Sequence, residues 1–143
     1  MPMNIIICLD DKNGTMFNHR RQSMDCVVRD KVRSITQDQT VWMNAYSAKQ
    51  FLNDHLPISH LHVAEDYLKQ AEANDYCFVE GAELKDYENR IKKLYIIYWN
   101  RVYPADQHFD LDLGNYIIEN SEDFVGNSHE KITLTIYKRK GRD

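Results

Sequence analysis

"CFVEGAELKDYE", residues 77–88, starts as a short apolar run, turns at Gly81 and continues with Leu84 and Tyr87 at helical spacing. A strand that turns at a glycine into a helix is where α/β proteins lodge a phosphate. The glycine lets the backbone close on an anion, and the first N–H groups of the helix face it. Here the glycine is preceded by a carboxylate, Glu80. The unit fixes a fold class only if its neighbours alternate in the same way.

They do. Residues 5–9, "IIICL", are apolar without alternation and end in Asp10, Asp11, Asn13 and Gly14, as expected of a strand buried on both faces. Met24, Val27, Val28, Val32 and Ile35 then recur at helical spacing, with Ser23 positioned as the expected cap. Residues 40–43, "TVWM", predict a second strand and 47–52, "SAKQFL", a short helix. After Pro57, "HLHV" predicts a strand and "AEDYLKQAEA" a helix. Residues 76–79 form the next strand, a helix carries Leu84, Tyr87 and Ile91 on one stripe, and "KLYIIYW" returns to strand. Alternation of this kind predicts an α/β fold with a mainly parallel sheet covered by helices on both faces. Beyond Tyr98 the helical period disappears. Residues 109–113 and 116–118 are short candidate strands, and "KITLTIYK" alternates strictly, predicting an antiparallel strand at the side of the sheet, with the edge near Tyr137 as a surface for a partner.

At 143 residues the chain suits one domain, 1–143, with one sizeable core. Its net charge of −4 gives a nucleic-acid surface no long-range help, and the basic run "YKRKGR" reads as a solvated strand end. "NIIICL" is too short to span a bilayer and the first residues carry no basic run, so the expectation is a cytoplasmic protein with no membrane partner, monomeric or homodimeric. The 3 cysteines, Cys8, Cys26 and Cys77, lie in apolar neighbourhoods and read as core thiols.

The order and spacing of several strings resemble dihydrofolate reductase. "IIICLDDKNGTM" is similar to that family's first strand and mobile loop, and "VWMNAYSAKQF" to its second strand and cofactor-facing helix start. "FVEGAELKDYENRIKKLYI" looks like its glycine-rich strand–helix unit, "KLYIIYWNRVYPADQHFD" like the strand and loop that follow, and "NSHEKITLTIYKRK" like its closing strand. The likeness implies a three-layer sheet, shortened between Leu52 and His60, where one strand of the family has no room. The chain is also similar to small bacterial proteins that carry a ribonuclease Z label. That label implies a His-x-His-x-Asp-His metal motif, whereas "HLHVAED" supplies His60 and His62 without the Asp-His, so neither that activity nor a metal site is expected.

By position, the resemblance makes Asp25 the counterpart of the carboxylate that holds a pterin ring and relays a proton. Burial would raise its pKa for that task; the alternative is an acid favoured by the helix dipole. Gly14, Asn44, Ser47 and Gly81 are the implied cofactor contacts, for NADPH or NADH. Asn44-Ala45 replaces the Gly-Arg expected there, and Glu80 sits where a second glycine would lie against the diphosphate. Val28, Trp99, Asn100 and Arg101 are the candidate ligand-lining residues, joined by Tyr103. Ile97 occupies the place of a threonine that links carboxylate to pterin, and Ile58-Ser59 that of a folate-binding arginine. His19, Arg20 and Arg21 form either an anion-friendly rim or a solvated one. The implied function is therefore a reductase-like protein whose nicotinamide and folate contacts are degraded and which takes a smaller anionic or heteroaromatic ligand. An NAD(P)H-dependent reductase using Asp25 and a non-catalytic interaction protein are the alternatives.

Overall fold

The computed structural model describes residues 2–54, 58 and 60–141. Pro57 and Ser59, to which part of the sequence reading attaches, lie outside them. Four strands run parallel: β1 (Met3–Leu9), β4 (Val41–Met43), β5 (Leu61–Val63) and β6 (Tyr76–Val79), and β7 (Ile91–Tyr98) joins them in the same direction. Against β7 lies β10 (Ile132–Arg139), and outside it β9 (Tyr116–Phe124), both pairings antiparallel. The strand order is β5-β4-β6-β1-β7-β10-β9. A separate small sheet, β3-β2-β8, is made by β2 (Gly14–Phe17), β3 (Arg20–Arg21) and β8 (Gln107–His108).

β1 lies at the centre because both its faces are apolar, as the unbroken isoleucine run requires. Ile5, Ile7 and Leu9 join Tyr67, Leu68, Leu84 and Leu94 on one side. Ile6 faces the other way, with Val28 and Val32 of α1 (Cys26–Ile35), Ala48 and Phe51 of α2 (Ala45–Leu52), and Trp99. A fully buried isoleucine stabilises by roughly 1.5–3 kcal/mol, so these two clusters dominate the energetics. The result is the three-layer, mixed and mainly parallel α/β sheet expected. No helix among the described residues is long and apolar enough to cross a membrane.

Several local expectations are corrected. Asp25, not Ser23, caps α1, its carboxylate accepting from Val27 N–H. Asn44 caps α2 and receives Ser47 N–H. The predicted helix after residue 63 shrinks to α3 (Tyr67–Gln70). The segment after Gly81 is a 3-10 helix, Lys85–Arg90, and Ile91 is the first residue of β7. That helix buries none of its own residues, so packing does not favour a full α-helical stripe. Residues 109–113 form no strand. The final strand β10 is interior, and the exposed edge is β9. Tyr137 is buried and its hydroxyl meets that of Tyr98 at 2.8 Å, so it is not at an edge.

Gly81 has φ +79, and a Cβ there would run into the Met16 sulfur. The methionine tip can shift, but the left-handed backbone cannot be relieved. Gly81→Ala should therefore cost about 1–3 kcal/mol, read as a lower midpoint in urea unfolding.

Candidate functional site

Glu80 follows directly after β6 and its carboxylate crosses the groove to the small sheet. Arg21 Nε donates to one carboxylate oxygen at 2.9 Å and Arg21 Nη2 to the other at 3.2 Å. Ser47 Oγ, in the first turn of α2, donates to the same group at 2.8 Å. The Glu80 side chain is only 10% exposed and that of Arg21 18%. The Arg21 guanidinium also donates to Tyr46 O and lies over the Tyr46 ring, 4.3 Å from its centroid. Burial disfavours the arginine's charge, yet the hydrogen bond and attraction of Glu80 outweigh it and raise the pKa. Burial first, then Glu80, pushes the nearby Cys8 thiol well above the usual range, which makes it a poor nucleophile.

The four residues expected to meet a cofactor are all engaged within the protein. Ser47 is bound to Glu80 and Asn44 is spent as a cap. Gly81 is covered by the buried Met16 of β2. Gly14 N–H donates to Asp10 Oδ1 at 2.7 Å, and a Cβ at Gly14 would lie 2.7 Å from Ala105 and from the Gln22 amide. Asp10 itself is buried. Burial works against its charge, but N–H groups of Tyr103, Gly14 and Lys12 with the Gln22 amide hold its pKa down.

Asp25 faces the turn between β9 and β10. It accepts from Asn127 N–H at 2.9 Å, Ser128 N–H at 2.9 Å and Val27 N–H at 2.9 Å, and pairs with His129 Nδ1 at 2.8 Å. Its side chain is 0% exposed and that of His129 3%. The expectation of a raised pKa is corrected: burial alone would raise it, but this ring of N–H donors and His129 lowers it far below the usual carboxylate range. The far side of the imidazole, Nε2, meets Ser23 Oγ at 3.0 Å and Tyr103 Oη at 3.1 Å. Trp99 stacks on the ring, centroids 4.7 Å apart.

Asp25, Val28 and Trp99 do line a common cavity, with Ser23, Gln50 and Glu80, but its volume is ≈ 10 Å³, about enough for one water. Neither Asn100 nor Arg101 borders it. Asn100 instead ties the chain to Lys131 O and Thr133 of β10, and Arg101 O receives Asp11 N–H. Larger hollows lie outside. One of ≈ 340 Å³ is lined by Phe17, Asn18, Arg20, Arg21, Gln22, Tyr103 and Pro104. Another of ≈ 440 Å³ lies beside Gly81, Lys85 and Asp110. His62 stacks on Trp42, and among the described residues no three His, Cys, Asp or Glu side chains gather as a metal site. The Ser23 contact with His129 escaped the sequence because 106 residues separate them. Only the strict alternation of β10 hinted that His129 sits where a hairpin meets the sheet.

This arrangement of sheet, helices and closing hairpin is the dihydrofolate reductase fold. A solved dihydrofolate reductase from Enterococcus faecalis, complexed with NADP(H) and RAB-propyl, superposes with a TM-score of 0.69 over 97% of this chain and 96% of that one, at 10% identity. No protein-family model and no curated protein matches the chain.

Because the native Asp25 keeps its charge well below the ~3.9 of an unfolded aspartate, the unfolded chain takes up that proton first. Its stabilisation is complete above that pH and is lost on acidification. Asp25→Asn should destabilise by about 3 kcal/mol or more at neutral pH. It should also flatten the fall in stability towards acid in urea unfolding. The residual slope would belong to Asp10 and to Asp54, which hydrogen bonds from Arg29 and Arg33 hold at about 2.

Proposed function

We propose that this protein uses the dihydrofolate reductase fold to bind a small anionic or heteroaromatic ligand, its hold on a nicotinamide dinucleotide having been replaced by an internal carboxylate. Glu80 is the observation that carries this reading. It takes the guanidinium and the serine hydroxyl that an incoming diphosphate would need. A phosphate charge about 4 Å from Glu80 would be repelled by roughly 4 kcal/mol at an effective dielectric near 20. Met16 over Gly81 adds a steric bar.

The ligand side of the proposal rests on the hollow beside Arg20 and Arg21. Arg20, the half-exposed Phe17 and the Tyr103 ring suit a planar ligand with one carboxylate or phosphate, Arg21 being held by Glu80. A second reading, an NAD(P)H-dependent reductase with Asp25 as proton relay, is favoured by the neighbour's complex with NADP(H). The strongly held charge of Asp25 speaks against that role, since a relay must take up a proton near working pH.

Titration with NADPH and with NADH, followed by Trp42 and Trp99 fluorescence, should give no quenching up to millimolar cofactor. Micromolar binding of either would overturn the proposal in favour of the reductase. Glu80→Gly frees Arg21 and Ser47 and restores a glycine pair, and should tighten NADPH binding at least about tenfold. Phenyl phosphate should raise the melting temperature of the native chain and lose that effect in Arg20→Ala.

A further inference from the structure

Ser23, His129 and Asp25 stand in line, and nothing in the reductase-like reading uses that line. His129 Nδ1 is 2.8 Å from Asp25 Oδ2 and its Nε2 is 3.0 Å from Ser23 Oγ. Asp25 already accepts backbone N–H groups, so it remains a carboxylate and takes Nδ1–H from the imidazole. That tautomer leaves the Nε2 lone pair facing the serine hydroxyl. Trp99 clamps the ring from one face. Unlike the two buried members, Ser23 is partly exposed. A serine meets a histidine, and the histidine an orienting carboxylate, in the geometry that activates a serine for acyl transfer, whatever the fold.

We propose that Ser23 is the nucleophile of an esterase site, with His129 as general base and Asp25 positioning it. Ser23 Oγ attacks the ester carbonyl carbon while its proton passes to His129 Nε2. The tetrahedral intermediate collapses, the C–O bond to the alcohol breaks, and that alcohol leaves with the proton from His129. Water, deprotonated by the same nitrogen, then cleaves the acyl-serine and returns the proton to Ser23. No redox partner is needed. Tyr103, whose Oη is 3.1 Å from the same Nε2, also lines the ≈ 340 Å³ hollow, whereas Ser23 itself borders two cavities of ≈ 10 Å³ and is reached from its partly exposed side. The tyrosine hydroxyl is placed to donate to the developing oxyanion. Arg20, beside that hollow, selects esters of small carboxylic or phosphate-bearing acids, a point that rests on the ligand reading above.

The test is covalent labelling of the native full chain with a fluorophosphonate, followed by turnover of 4-nitrophenyl acetate. A single adduct on Ser23 is expected, absent from Ser23→Ala, with turnover falling by about 10³-fold or more in that variant. Tyr103→Phe should lower turnover by roughly 10²-fold. In a Ser23→Cys variant, the introduced thiol should react with iodoacetamide faster than Cys8, Cys26 or Cys77. No adduct on folded native protein, an adduct elsewhere, or turnover that survives Ser23→Ala would overturn the nucleophile. The ligand reading is tested separately with 4-nitrophenyl hemisuccinate, expected to exceed the acetate in kcat/KM by about tenfold. Equal values, both dependent on Ser23, would overturn the anion selection and leave the nucleophile standing.

Discussion

A carboxylate withdrawn from water persists only where opposite charge and hydrogen bonds replace its hydration. For Glu80 that replacement comes from the far side of the groove. Arg21 belongs to the small sheet, so the ion pair fastens that sheet over the turn after β6. Once fastened, β2 carries Met16 onto Gly81, and Arg21 settles on the Tyr46 ring at the start of α2. The charge pair, the covered glycine and the engaged serine thus meet at the one turn after β6. Because both partners are largely buried, removal of either one would leave the other uncompensated, and the pair holds the closure more firmly than an exposed bridge would.

The second buried carboxylate is satisfied in another way. Asp25 has no guanidinium; it is held by directional N–H groups from two separate segments, the start of α1 and the turn before β10. Dipoles arranged in this manner lower the pKa as effectively as a full charge does. A carboxylate so held is unsuited to pass its own proton to a ligand. It is well suited to fix the tautomer and aim of a neighbouring imidazole. Position at the start of the first helix, which the sequence reveals, therefore says where a buried carboxylate lies but not which groups it holds.

What the sequence made legible follows range. The unbroken run 5–9, the alternation of 132–139 and the glycine turn that ends 76–79 are local patterns, and each predicted a strand; the order of the sheet and the interior place of β10 were not predicted. The short elements failed for a physical reason. The stretch after Asp66 has helical composition but closes only one turn. After Gly81 the fully buried apolar residues, Leu84 and Ile91, flank residues 85–90 rather than lie within them, so a single short 3-10 helix suffices there. Of the candidate ligand-facing residues, Asp25, Val28 and Trp99 do border one small cavity. Their partners were not legible. The pairing of Arg21 with Glu80 and of Ser23 with His129 joins residues 59 and 106 apart, and no local period encodes such contacts.

Gly126 shows how the two ends of the chain were brought close enough for chemistry. A Cβ there would stand 2.7 Å from Asp25 Oδ2 and 2.7 Å from Ile132 Cδ1, so any larger residue would push the turn off the helix. With hydrogen in that place, Asn127 and Ser128 reach the carboxylate through their backbones, and His129, the next residue, is carried in behind them. The imidazole is then trapped between Asp25 and the face of Trp99, with one nitrogen left to act. That nitrogen meets Ser23, which borders the same small cavities as Glu80, and Tyr103, which also lines the larger hollow. Where the Arg21–Glu80 pair fills the turn after β6, the second nitrogen of His129 is thus left with two hydroxyls, one on a partly exposed serine and one on a tyrosine.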